Sequence, residues 1–165
     1  MNNLIEINLI NTKDFHRDLN LVIPSINLEV IADSYYLLLD NLIKTDSEGY
    51  DKVLNVLISI LSQWKIKIEK LEVGDKCFLP FDFSDQYIGC LRIEQVDTEN
   101  ISGMYGVTQN IMTIGINPSD VNEFILAESD FRSRPKKFSF LKYDLLSSIN
   151  LSIVEIPQRF YGLGR

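Results

Sequence analysis

Lys76–Thr108, KCFLPFDFSDQYIGCLRIEQVDTENISGMYGVT, holds three apolar-rich runs separated by polar breaks. Cys77–Phe83 carries aromatics around Pro80, and Ser84-Asp85 interrupts it. Tyr87–Val96 follows, Asp97–Asn100 interrupts again, and Ile101–Thr108 resumes with Met104, Tyr105 and Val107. Strand-forming runs bounded by Asp, Ser, Asn and Gly are the mark of a β-meander.

Upstream of the meander, Val53, Leu57, Ile60, Leu61, Trp64, Ile68 and Leu71 recur at three- and four-residue spacing. That spacing predicts a helix to about Glu72, closed by Gly74 near a C-cap. Leu28, Ile31, Tyr35, Leu38, Leu39 and Leu42 show the same spacing after Ser25, a good N-cap residue, and predict a helix ending near Lys44. With Thr45–Gly49 as a polar turn, the two make an antiparallel helical hairpin over Ile26–Glu72. Leu4–Ile10 alternates apolar and polar residues, as a half-buried strand does.

Downstream, Ile111–Ile116 reads as a short strand. Asn117-Pro118-Ser119-Asp120 reads as a helix start, with a helix over Ser119–Ala127. Glu128–Lys137 reads as a charged loop and Phe138–Tyr143 as a strand. Leu145–Leu151 fits either state. Ser152–Ile156 favours strand, stopped by Pro157, and the tail to Arg165 reads as loosely docked. The expected fold class is α+β: a mainly antiparallel sheet with a helical hairpin packed on it, in a single domain over 1–165.

With 45% hydrophobic and 24% charged residues the chain has the composition of a folded soluble protein. The N-terminus lacks the basic and apolar stretches of a secretory leader. Val53–Leu71 is broken by Asn55, Ser59, Gln63, Lys65, Lys67 and Lys70, which argues against a membrane span. A cytosolic protein is expected.

Charge is unevenly spread. The net −7 divides into −5 over residues 1–75, −7 over 76–130 and +5 over 131–165. Such asymmetry bears on partners. The basic cluster Arg132-Ser133-Arg134-Pro135-Lys136-Lys137, bracketed by Phe131 and Phe138, has the texture of a nucleic-acid footprint, but the overall negative charge argues against phosphate binding.

No catalytic constellation stands out. His16 is the only histidine and sits in a polar segment beside Asp14 and Asp18, where an exposed loop histidine is expected. Nothing local brings Cys77 to it, and Cys77 and Cys90 read as thiols packed as small apolar groups. Two cysteines without nearby histidine build no zinc site, and Asp82–Gln86 lacks the length and glycine of a calcium loop. Gly103-x-x-Gly106 has no Lys-Ser/Thr after it, and Gly162-x-Gly164 has no helix to open. No cofactor is expected.

What remains is the acid-rich meander. Asp82, Asp85, Glu94, Asp97 and Glu99, interleaved with Phe83 and Tyr87, are expected to form a surface for a basic protein partner. The competing arrangement folds Arg132, Arg134, Lys136 and Lys137 back across the sheet to neutralise them.

In size, acidity and the Asn/Ile-rich opening MNNLIEINLIN, the chain resembles the immunity proteins of contact-dependent inhibition and other polymorphic toxin systems. That resemblance implies a small cytosolic α+β protein that neutralises a cognate toxin domain, often a basic nuclease. It brings no motif with it, so the site residues come from charge and aromatic content alone. Two other classes fit the same composition: a small enzyme of unrecognised site, and an acidic secretion chaperone that binds extended peptide as a dimer.

Overall fold

The computed structural model describes residues 4–109, 117–122 and 128–162. Among them the chain runs β1 (Glu6–Leu9), β2 (Leu19–Ile23), β3 (Leu28–Ala32), a one-turn helix α1 (Tyr35–Leu38) and the long helix α2 (Tyr50–Glu69). β4 (Lys76–Phe83), β5 (Ile88–Gln95), β6 (Asn100–Thr108), β7 (Arg132–Leu141) and α3 (Lys142–Phe160) follow. The strands form two antiparallel sheets in simple chain order, β1-β2-β3 and β4-β5-β6-β7. The fold is α+β.

The meander forms where its turn residues place it. Ser84 N–H donates to the Tyr87 carbonyl (3.0 Å) to close the β4–β5 turn, and Val96 N–H donates to Asn100 (2.9 Å) to close the β5–β6 turn. One extra residue in β4 between Pro80 and Asp82 makes a β-bulge. Both neighbours of the bulge, and Phe81 itself, end up buried. Trp64 of α2, fully buried, donates its indole N–H to the Pro80 carbonyl (3.2 Å) and packs its ring near Phe81. The α2 helix follows its predicted apolar stripe, with Val53, Leu57, Ile60, Leu61 and Ile68 also buried.

The helical hairpin over Ile26–Glu72 does not form: its second arm is the helix α2, but its first arm is the strand β3 followed by the single turn α1. Pro24–Ile26 makes a single 3-10 turn and Asn27 takes a left-handed conformation (φ 47°), closing a tight β2–β3 hairpin. Leu28, Val30 and Ala32 then alternate inward while Glu29 and Ile31 face out. Ile31, 45% exposed, supplied a false point on the helical stripe. Asp40, after α1, lies buried. Its carboxylate accepts from Leu42, Ile43 and Ser119 amides at 2.8–2.9 Å.

Two further corrections concern the C-terminal third. The expected loop Glu128–Lys137 is mostly β7, an edge strand whose charged residues face solvent. β7 carries two extra residues opposite Tyr105, and Pro135 sits in that irregularity, the kind of place where a strand tolerates a residue without an N–H. Ser152–Ile156 is helix, not strand: α3 runs through Pro157. An internal proline costs a helix about 3 kcal/mol, and the residues that follow this one are held by tertiary contacts. The Phe160 ring lies tilted against Tyr50 (5.2 Å between centroids), Arg159 donates to Asn8 (2.9 Å) and Tyr161 donates to Asp51. Leu145, Ile149 and Ile156 face inward with Ser148 and Ser152 between them. Ser148 Oγ bonds both the amide (3.1 Å) and carbonyl (2.9 Å) of Ile5, so small polar residues seat α3 against the start of β1.

The expected strand Ile111–Ile116 lies outside the described residues, as do the distal half of the expected helix Ser119–Ala127 and the tail beyond Gly162; the described part, 119–122, is turn. The buried side chains of both sheets and of the helices form one continuous cluster.

Candidate functional site

An antiparallel meander puts its successive turns at opposite ends. Asp82, Phe83, Asp85 and Tyr87 lie at the β4–β5 end, and Glu94, Asp97 and Glu99 at the β5–β6 end. The eight residues of β5 separate them by about 25 Å at ~3.4 Å per residue. The seven candidates therefore form two groups, not one patch.

At the β4–β5 end the acids serve the fold. Phe83 is in the core, and Asp82 is 5% exposed, so neither contributes to a surface. Burial raises the Asp82 carboxyl above its usual range, while hydrogen bonds from Tyr87 and Tyr105 and the Arg134 charge oppose that rise. Tyr105, fully buried, reaches Asp82 from β6 with its hydroxyl 3.4 Å from Oδ2. It can do so only because residue 89 is glycine: a Cβ there would overlap the Tyr105 hydroxyl. The Arg134 guanidinium lies 4.9 Å from the centre of the Tyr105 ring. Asp85 is exposed but accepts from the Tyr36 hydroxyl of α1.

The competing arrangement of basic residues is thus realised only locally. Arg134 faces Asp82 and Tyr105, and Lys136 donates to the Asn27 carbonyl at 2.5 Å. Among the described residues, no ion pair joins β7 to the exposed acids of either turn.

At the β5–β6 end the acids differ from one another. Glu94 accepts from the buried Arg92 at 3.2 Å. Asp97 builds the turn, its carboxylate accepting from the Glu99 amide (2.9 Å) and the Asn100 amide (2.7 Å). Those bonds hold its carboxyl below the usual carboxylate value. Glu99 is exposed, and its carboxylate makes no hydrogen bond or ion pair among the described residues.

Glu99 does not stand alone. The Lys142 amide donates to the Glu99 carbonyl at 2.7 Å, which clamps the β5–β6 turn to the junction of β7 and α3. Together they line a groove of about 460 Å3 formed by Thr98, Glu99, Leu141, Lys142, Tyr143 and Leu146. Tyr143 is 77% exposed and Leu141 47%. Neither residue stands out in the sequence, where Phe138–Tyr143 reads as one continuous strand. The available signal was Asp144, an acid placed where a helix's first turn favours one.

The remaining candidates for chemistry lie apart. His16 Nδ1 is 3.0 Å from Asp33, and that carboxylate raises the imidazole pKa. Cys77 is half-buried and Cys90 buried. Both are free, and burial pushes both thiols up to about 12. The charged neighbours of Cys77 are Lys67 and Lys142, not His16. Among the described residues no cluster of His, Cys, Asp and Glu is arranged to hold a metal, and no helix is long and apolar enough to cross a membrane. Comparison with protein families, with curated proteins and with solved structures finds no match.

Proposed function

We propose that this chain is a small acidic protein-binding module of the cytosol, and that it acts as an immunity protein, neutralising a basic toxin domain by occupying it. The observation that carries the reading is the β5–β6 end: an unengaged Glu99 carboxylate beside the exposed Tyr143 and Leu141. Exposed aromatic and aliphatic side chains framed by charge are the ingredients of an interface centre and rim. The net charge of −7 would steer the chain to a positively charged active site.

Co-expression tests this. The reading frame adjacent to this gene in its native host, produced alone, should arrest growth of a sensitive strain, and this chain should restore it. The two products should co-purify. An adjacent metabolic operon, with no growth arrest and no complex, would favour an enzyme instead.

A further inference from the structure

We propose that the groove at the β5–β6 end receives a single arginine side chain from the protein partner. The proposal rests on the protein-binding reading above and names the chemical group that reading leaves open.

The lining has the parts such a side chain needs. Leu141 and Leu146 supply apolar walls for its methylene stem, Tyr143 an aromatic face and Glu99 a carboxylate. A guanidinium stacks on an aromatic ring and presents a planar fork to a carboxylate, and it sheds its hydration more readily than an ammonium does.

The cation already in the groove is directed elsewhere. The Lys142 ammonium donates to the carbonyls of Glu69 (3.2 Å) and Leu71 (2.9 Å), at the C-terminal end of α2. Positive charge is favoured there by the free carbonyls and the helix dipole. Lys142 therefore joins three segments, and among the described residues it makes no ion pair with Glu99. Asp97 and Asp144, both exposed, adjoin the lining residues Thr98 and Tyr143 in sequence and add negative charge nearby. Among the described residues, Lys70 at the C-cap of α2, Lys76 at the start of β4 and Arg92, which donates to Glu94, are further cations toward this end, and none lines the groove. Charge complementarity thus selects a cation, and the ring beside the carboxylate selects arginine over lysine.

NMR titration of the 15N-labelled full chain with N-acetyl-arginine amide tests this, with the lysine and citrulline amides as comparators. Saturable shifts are expected at the Thr98, Glu99, Tyr143 and Leu146 amides. Binding should be about three-fold weaker for the lysine amide and about ten-fold weaker for the neutral citrulline amide. Glu99→Gln and Tyr143→Ala should abolish the shifts, with unchanged circular dichroism showing that both variants fold. Absence of saturation by ~50 mM, well above the millimolar range expected of so small a contact, overturns the proposal. So do equal shifts around Asp85 and Asp33, or citrulline binding as well as arginine.

A salt-sensitive self-association in sedimentation, lost in an Arg132→Glu/Arg134→Glu variant, would give the groove to a second copy and likewise overturn it. The two readings fail separately. If co-expression fails while the arginine amide titrates, the groove stands without the immunity role. If rescue survives Glu99→Gln and Tyr143→Ala with undiminished affinity, the immunity role stands without the groove.

Discussion

The two ends of the four-stranded sheet carry similar residues and use them differently. At the β4–β5 end, Asp82 and Tyr105 are enclosed and Asp85 is held by Tyr36. At the β5–β6 end, Asp97 is committed to its turn, while Glu99 and Tyr143 face solvent. A count of acids along the chain treats them alike. What separates them is whether a donor of the fold already occupies the carboxylate.

The sharpest way to break this comparison is to remove one tyrosine from each end. Tyr105→Ala empties a fully buried site and strips Asp82 of a donor, so a loss of about 3–5 kcal/mol is expected in urea unfolding. Tyr143→Ala removes a side chain that is 77% exposed and should change stability by no more than about 0.5 kcal/mol. Comparable losses at the two sites would mean that Tyr143 packs into the fold and is not a free anchor.

Association kinetics come next. With the partner from co-expression in hand, Glu99→Gln should slow association several-fold at low salt, and the difference should shrink as salt screens the field. Asp85→Asn, at the other end and already engaged by Tyr36, should leave the rate close to wild type. Equal slowing by both would show that only total charge matters and that the β5–β6 end has no special standing.

The two ends should also titrate in opposite senses. Asp82 has a folded-state pKa above 3.8, so the folded state holds its proton more tightly than the unfolded chain does. Its contribution therefore weakens as pH rises from 3.8 through the raised value, where a buried carboxylate must ionise. Asp97 has a folded-state pKa below 3.8, so its contribution is present above 3.8 and fades as pH falls through the lowered value. Urea midpoints against pH should lose the first trend in Asp82→Asn and the second in Asp97→Asn. A single shared trend in both variants would contradict the assignment of buried and turn-forming roles.

How much of this was legible in the sequence depended on which force dominated each element. The meander and α2 were readable because turn residues and apolar period agree there. β3 was not, because Leu28, Ile31, Tyr35 and Leu38 mimic a helical stripe, while the deciding feature is the Pro24–Asn27 hairpin turn. In α3, Ser148 and Ser152 occupy buried positions, so an apolar count misses its inner face. β7 looks like a loop because an edge strand can show charge along its length and still satisfy its backbone on one side. For the site, the acids were visible but their engagement was not: Asp97 and Glu99 are two residues apart, and only the turn's hydrogen bonds tell them apart. Tyr143 was hidden by a strand-to-helix junction that no capping side chain marks.

The smallest expected effect concerns His16 and refines the account of the engaged end. Three non-glycine residues of its loop, Lys13, Phe15 and Arg17, hold positive φ. That geometry persists because neighbours fix it: Asp33 accepts from the Arg17 amide at 2.7 Å, and Asp18 accepts from Ser34 and Tyr50. Asp33 thus serves the backbone with one oxygen and the imidazole with the other. The imidazole also stacks on Tyr35. The hydrogen bond to Asp33 raises the His16 pKa above 6.5. A histidine whose folded-state pKa is raised contributes stability that is fully present below 6.5 and is lost as pH rises through the raised value. Both side chains are well exposed, so solvent screens the pair and the change in stability should be slight. The cleaner readout is the His16 Cε1–H resonance, whose titration midpoint should lie above 6.5 in the wild type. In Asp33→Asn it should return close to 6.5, since the remaining acids, Asp14 and Asp18, act on His16 through weaker Coulomb terms. A midpoint unmoved by Asp33→Asn would mean that Asp33 serves the loop backbone alone, and that this carboxylate is only half engaged.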